Sequence, residues 1–182
     1  MSATGQLVEA ETLLAKLEKI VRQRKAAVVV ASRNDSLSDS SGTLTLPPHI
    51  VALGASTGGP QAIAHILGEL PKTFGAAILV ALHIDAGFTS NLVKFLQDRS
   101  ALPVKTAEDH GLILPGHVYV ASSNDHLSVT TNRRLYYVRE PVDYPFRPSV
   151  DVLFSSLATR WLRNGIAVLL TGMGNDGAKG LL

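Results

Sequence analysis

An apolar run ends in Gly54-Ala55-Ser56-Thr57-Gly58-Gly59, and Pro60 follows. The first five of these residues fit a Gly-x-Ser-x-Gly turn, in which small neighbours let the chain bend sharply and present a hydroxyl at a strand end. A helix opening at Pro60 would aim free N–H groups and the positive end of its dipole at an oxyanion formed there. The same groups could instead hold a phosphate. No Gly-Lys-Ser/Thr follows, and Gly-x-Gly-x-x-Gly is absent from this loop. Three readings of the loop stand at this level: a serine nucleophile at Ser56, an anion cradle, and a purely structural turn.

Serine is a weak nucleophile and needs a base. The chain offers six histidines. His49 opens an apolar run, His65 lies in a helical pattern, and His110, His117 and His126 lie in a turn-rich stretch. Only His83 closes a second buried-strand pattern, "AAILVALHI". The base in turn needs an orienting acid. Asp176 stands in "TGMGNDG" after a third apolar run, "IAVLL", although Asp in an Asn-Asp-Gly turn also has backbone reasons to be there. Serine, histidine and aspartate then each follow a different strand at its carboxyl end, where open α/β sheets gather their sites. The chain order Ser, His, Asp differs from the Ser, Asp, His order of α/β-hydrolases.

These residues need a frame. "HIVALGA" and "AAILVALHI" are short continuous apolar runs, as strands buried on both faces are. After Pro60, Ile63, Leu67 and Leu70 give a helix its apolar face, and "FTSNLVKFLQDRS" reads as a second helix capped by Thr89 or Ser90. Residues 103–139 alternate in short runs broken by turn residues, which predicts strands and hairpins. Val150, Leu153, Leu157 and Trp161 form the buried stripe of a helix that Gly165 stops, and "IAVLL" predicts a third buried strand. The fold class is α/β: a largely parallel, doubly wound sheet with a β-hairpin insertion. Ahead of it, residues 6–25 have helical apolar spacing, and the Ser- and Asp-rich 32–43 reads as a linker. This divides the chain into 1–47, helix and linker, and 48–182, the main domain.

Composition narrows the classes. With 46% hydrophobic and 18% charged residues the chain reads as globular rather than disordered. A net charge of +2 without a Lys/Arg block argues against nucleic acid. The absence of cysteine excludes a disulfide frame and a thiol nucleophile and suits a reducing cytoplasm. No run approaches the ~18 apolar residues of a membrane span, and the N-terminus has no signal-peptide core.

Five blocks, "VALGASTGGPQAI", "HIDAGFTSNLVKFL", "EDHGLILPGHVYVA…DHL", "RPSVDVLFSSLA" and "VLLTGMGNDGAKGL", together resemble the catalytic domain of the CheB family of chemotaxis protein-glutamate methylesterases. The resemblance runs from His49 to the chain end. It implies Ser56 as nucleophile, His83 as base and Asp176 as its orienting acid, with Thr57 and the Met173 turn supporting the oxyanion. It also implies hydrolysis of glutamate γ-methyl esters on the cytoplasmic helices of methylated chemoreceptors, and glutamine deamidation through the same acyl-enzyme. No metal or organic cofactor is implied, nor a nucleic-acid partner, nor membrane insertion. Alternatives are a phosphate- or nucleotide-binding module and an inactive fragment of the methylesterase.

Several departures set further expectations. The family commonly has Gln-His-Met-Pro around the histidine, where this chain has Leu82-His83-Ile84-Asp85. Asp85 is therefore expected near the base, raising its basicity or competing for its proton. The family domain continues past the "GMGNDG" turn, so the sheet is expected to be incomplete at the C-terminus, with apolar surface left open. Residues 1–47 are too few for a receiver domain, so control by phosphorylation is not expected. Phe88, Tyr144, Phe146 and Arg147 are candidates to line a substrate groove, with Phe88 and Phe146 more readily read as core.

Overall fold

A computed structural model describes residues 49–161, 165–171 and 174–182. The helix expected at 6–25, the linker at 32–43 and Met173 lie outside the described residues.

Apolar runs with no polar alternation make central strands. β1 (Ile50–Ala55) and β2 (Ala77–Leu82) are buried at every position. They pair in parallel, and β1 pairs in parallel with β7 (Gly165–Leu169) on its other side. β3 (Val104–Thr106) and β4 (Val118–Val120) complete a five-stranded sheet of order β3-β4-β2-β1-β7. Every pairing in it is parallel. β5 (His126–Val129) and β6 (Leu135–Val138) form a separate antiparallel hairpin.

Helices cover both faces of the sheet. α1 (Gly59–Glu69) buries Ile63 and Leu67, and the following Leu70 is buried too. It meets the sheet where Gly59 comes against Ala55 and Leu82. α2 (Thr89–Gln97) packs beside α1 and over β3. On the opposite face, α3 (Val150–Arg160) inserts Leu153, Phe154 and Leu157 among Ile50, Ala52, Leu79 and the hairpin residues Leu127 and Leu135. Its expected stripe, Val150, Leu153, Leu157 and Trp161, is buried throughout. Gly54 makes this contact close, because a Cβ there would run into Val150 and Phe154.

Three expectations change. The stretch 103–139 divides: β3 and β4 join the parallel sheet and only β5–β6 is a hairpin. Three-residue strands carry too little pattern to reveal a partner. The run "IAVLL" reads as a strand buried on both faces, yet β7 is half-buried and Leu169 is exposed. Among the described residues β7 pairs only with β1. At the start of α2, neither Thr89 nor Ser90 caps; Asp85 caps the preceding 3₁₀ turn (Ala86–Phe88) through Gly87 N–H.

Phe154 is 1% exposed and wedges α3 against β1. Phe154→Ala removes a ring that nothing nearby can replace, and should cost about 3–5 kcal/mol. Urea-denaturation midpoints of the variant and parent measure it.

Candidate active site

Strand register fixes the first two members of the site. Ala55 of β1 pairs with Leu82 of β2. The next residues, Ser56 and His83, therefore leave adjacent parallel strands side by side. Neighbouring strands lie about 4.8 Å apart, so the two side chains emerge together. On the other flank of β1, Leu170 N–H donates to Gly54 C=O at 2.9 Å and Ser56 N–H donates to Thr171 C=O at 2.8 Å.

The turn is held from both ends. Gly59 N–H donates to Ser56 C=O at 2.8 Å. Gly58 caps α1 in the left-handed region, at φ 77°, where a Cβ would be strained. With Ser56 N–H engaged by Thr171 and Gly59 N–H by Ser56, the N–H groups of Thr57, Gly58 and Gln61 are those that precede the first intrahelical bond, Ala62 N–H to Gly58 C=O. The Thr57 side chain is exposed.

Asp176 joins His83 from the loop after β7. Its Oδ2 lies 2.7 Å from His83 Nε2, with the Asp side chain 4% and the His side chain 12% exposed. Such burial would leave a lone carboxylate protonated. Here the carboxylate sits at the N-terminus of α3 and collects its free donors: Ser149 Oγ–H at 2.7 Å, Val150 N–H at 2.8 Å and Asp151 N–H at 3.0 Å. Burial alone pushes the Asp176 pKa up, but the bonds from His83, Asp151, Val150 and Ser149 together outweigh it and hold the value at about 2. The clamp is reciprocal. Asp151 of α3 accepts from Gly177 N–H at 2.9 Å and Gly180 N–H at 2.8 Å, fixing the loop that carries Asp176.

An ionised carboxylate can only accept, so the His83 proton belongs on Nε2 and Nδ1 keeps its lone pair. His83 Nδ1 is buried and has no hydrogen-bond partner among the described residues. That arrangement suits a general base. The nitrogens exchange the parts they play in the Ser-His-Asp protease template, where Nδ1 faces the acid. Phe146 stacks on the imidazole, with ring centroids 4.1 Å apart and planes 4° off parallel. Ser56, His83 and Asp176 line one cleft of about 210 Å³, with Val150, Leu169 and Leu170 on its walls. Among the described residues no three His, Cys, Asp or Glu side chains gather to hold a metal.

Comparison with known proteins addresses ancestry. A family profile described as CheB methylesterase matches residues 51–182. The chain belongs to the CheB methylesterase family. It is 39% identical over 180 residues to a protein-glutamate methylesterase/protein-glutamine glutaminase of Cupriavidus metallidurans, covering 98% of this chain and 53% of that one. It is 41% identical over 177 residues to one from Burkholderia thailandensis, covering 97% and 51%. The chain thus spans about half the length of these relatives. The crystal structure of the Thermotoga maritima CheB methylesterase catalytic domain is similar at a TM-score of 0.70 and 38% identity, covering 74% of this chain and 73% of that one.

Within this CheB-type frame, some expectations are revised. Asp85, expected near the base, is exposed and accepts from Gly87 N–H at 2.8 Å. Phe88 is 61% exposed and so is not core. Phe146 is half-buried against His83, and Arg147 pairs with Asp125 at 3.7 Å. Sequence reasoning does not single out Ser149 or Asp151. The signal was present: a serine immediately before the first residue of an apolar helical stripe is an N-cap pattern.

The sign of the Asp176 shift sets a pH dependence. The carboxyl's ordinary value is 3.8 and its folded value about 2. The unfolded chain therefore binds more protons between these values, and stability is lost as pH falls through that window. The loss is expected to be about 2 kcal/mol. Urea-denaturation midpoints from pH 5 to 2 should fall less steeply in Asp176→Asn, which removes this titration.

Proposed function

We propose that the chain is a serine esterase acting on glutamate γ-methyl esters, with glutamine deamidation as a second outcome of the same chemistry. What supports the reading is the β1–β2 register, which sets Ser56 beside a histidine whose Nε2 is bound to an ionised carboxylate. Ser56 Oγ attacks the ester carbonyl as His83 Nδ1 takes its proton. The oxyanion is met by N–H groups at the start of α1, Thr57 first among them, with Met173 in support from outside the described residues. Collapse expels methoxide, which takes the proton from His83 and leaves as methanol. Water then gives a proton to His83 Nδ1 and attacks the acyl-serine; collapse releases glutamate as the departing Ser56 Oγ takes that proton back. An amide substrate follows the same route and releases ammonia.

The names of the relatives supply the substrate class: protein-glutamate methylesterase/protein-glutamine glutaminase. Methylated chemoreceptor helices in the cytoplasm are the partner we assign from the family resemblance. Among the described residues no helix is long and apolar enough to cross a membrane. The described residues lining the cleft include an aspartate but no lysine or arginine. An ionised carboxylate in the cleft would repel a phosphate held there.

Methanol release from a methylated chemoreceptor cytoplasmic fragment tests the reading. Ser56→Ala should abolish release and block fluorophosphonate labelling. Asp176→Asn should lower kcat by about 10⁴-fold, as loss of the orienting acid does in serine proteases. Equal rates from parent and Ser56→Ala would overturn the proposal.

A further inference from the structure

His126 is a buried histidine outside the cleft, 0% exposed on β5. Its Nδ1 accepts from Ser149 N–H at 3.0 Å, so that nitrogen carries a lone pair. Its Nε2 lies 3.2 Å from Pro141 C=O, which can only accept. The proton is therefore on Nε2, and the ring is neutral with both nitrogens engaged. The Tyr144 ring packs edge-on against it, with centroids 6.0 Å apart.

Ser149 N–H belongs to the residue at which α3 begins. Immediately beyond it come Ser149 Oγ–H, Val150 N–H and Asp151 N–H, the three donors that grip Asp176. Ser149 is itself fully buried. Its hydroxyl donates to the carboxylate and accepts from Val152 N–H at 3.4 Å, so it has no freedom left. A continuous set of bonds thus runs from Pro141 through His126, Ser149 and Asp176 to His83.

We propose that His126 is a positioning residue for the esterase chemistry: its Nδ1 fixes the helix terminus that aims Asp176 at His83. This rests on the assignment of Ser56, His83 and Asp176 above. The physical ground is that a carboxylate held by three donors points where those donors point. Without Nδ1 as acceptor, Ser149 N–H is a buried donor without a partner, which the chain avoids by shifting the turn. A displacement of about 1 Å at a reacting group costs on the order of 10²-fold in rate.

Two amides separate the two nitrogens. Asparagine brings its Oδ1 near the place of Nδ1 and keeps an acceptor for Ser149 N–H. Glutamine brings its amide near the place of Nε2 and keeps only the Pro141 contact. Fluorophosphonate inactivation of the full chain gives kinact, which reports reactivity at Ser56, and KI, which reports binding of the probe. His126→Gln should lower kinact about tenfold or more with KI within about twofold of the parent. His126→Asn should stay within about threefold in kinact. Circular-dichroism melts establish that each variant is folded. An unchanged kinact in His126→Gln, an equal fall in both variants, or failure of His126→Gln to fold would each overturn the positioning role. A parent chain that is not labelled at Ser56 would instead overturn the assignment of the nucleophile, and this proposal with it.

Discussion

The carboxylate of Asp176 is the point on which the site is built. It is almost wholly buried and yet ionised, because it stands where the first turn of α3 has N–H groups with no intrahelical partner. The helix needs an acceptor there and the carboxylate needs donors, so each solves the other's desolvation. Asp151 answers in the opposite direction by receiving Gly177 and Gly180 N–H. Two acids one helical turn and one loop apart thereby lock α3 to the segment after β7. The orientation of His83 follows from that lock.

This dependence explains why the packing of α3 bears on chemistry. The helix lies close to β1 because Gly54 has no side chain to hold it off. Had the helix stood further out, its N-terminus would not meet a loop leaving β7 two strands from β2. The serine turn and the helix terminus are thus coupled through one glycine at the end of β1. Gly54 serves both as the first residue of the turn motif and as the floor on which Val150 and Phe154 rest.

A parallel sheet also does work that an antiparallel one would not. All its carboxyl ends lie on one edge, and β1 stands between β2 and β7. Ser56, His83 and the loop bearing Asp176 therefore come from three neighbouring strands without any long excursion of chain. The hairpin β5–β6 adds what the sheet lacks, a second wall for α3. Val129 N–H donates to Ser156 Oγ at 3.2 Å, and His126 meets Ser149.

Much of this was legible in the residues. Uninterrupted apolar runs announced β1 and β2 as buried strands, the spacing of Val150, Leu153, Leu157 and Trp161 announced the buried face of α3, and the position of His83 at a strand end set it apart from the other histidines. Short strands were not legible: nothing local tells Val104–Thr106 that its partner is parallel. Asp176 reads as the acid for His83, and Asp85, two positions along, is expected to approach the base; the turn after β2 instead engages the Asp85 carboxylate at Gly87 N–H. The sequence by itself determined which side chains could react and that they end separate strands, since periodicity and turn chemistry are local. Only the tertiary structure decided that the first turn of α3 grips the Asp176 carboxylate, which imidazole nitrogen of His83 faces it, and that Ser149 and His126 stand behind it. Those outcomes depend on how α3 meets the loop after β7, a contact between segments far apart in the chain.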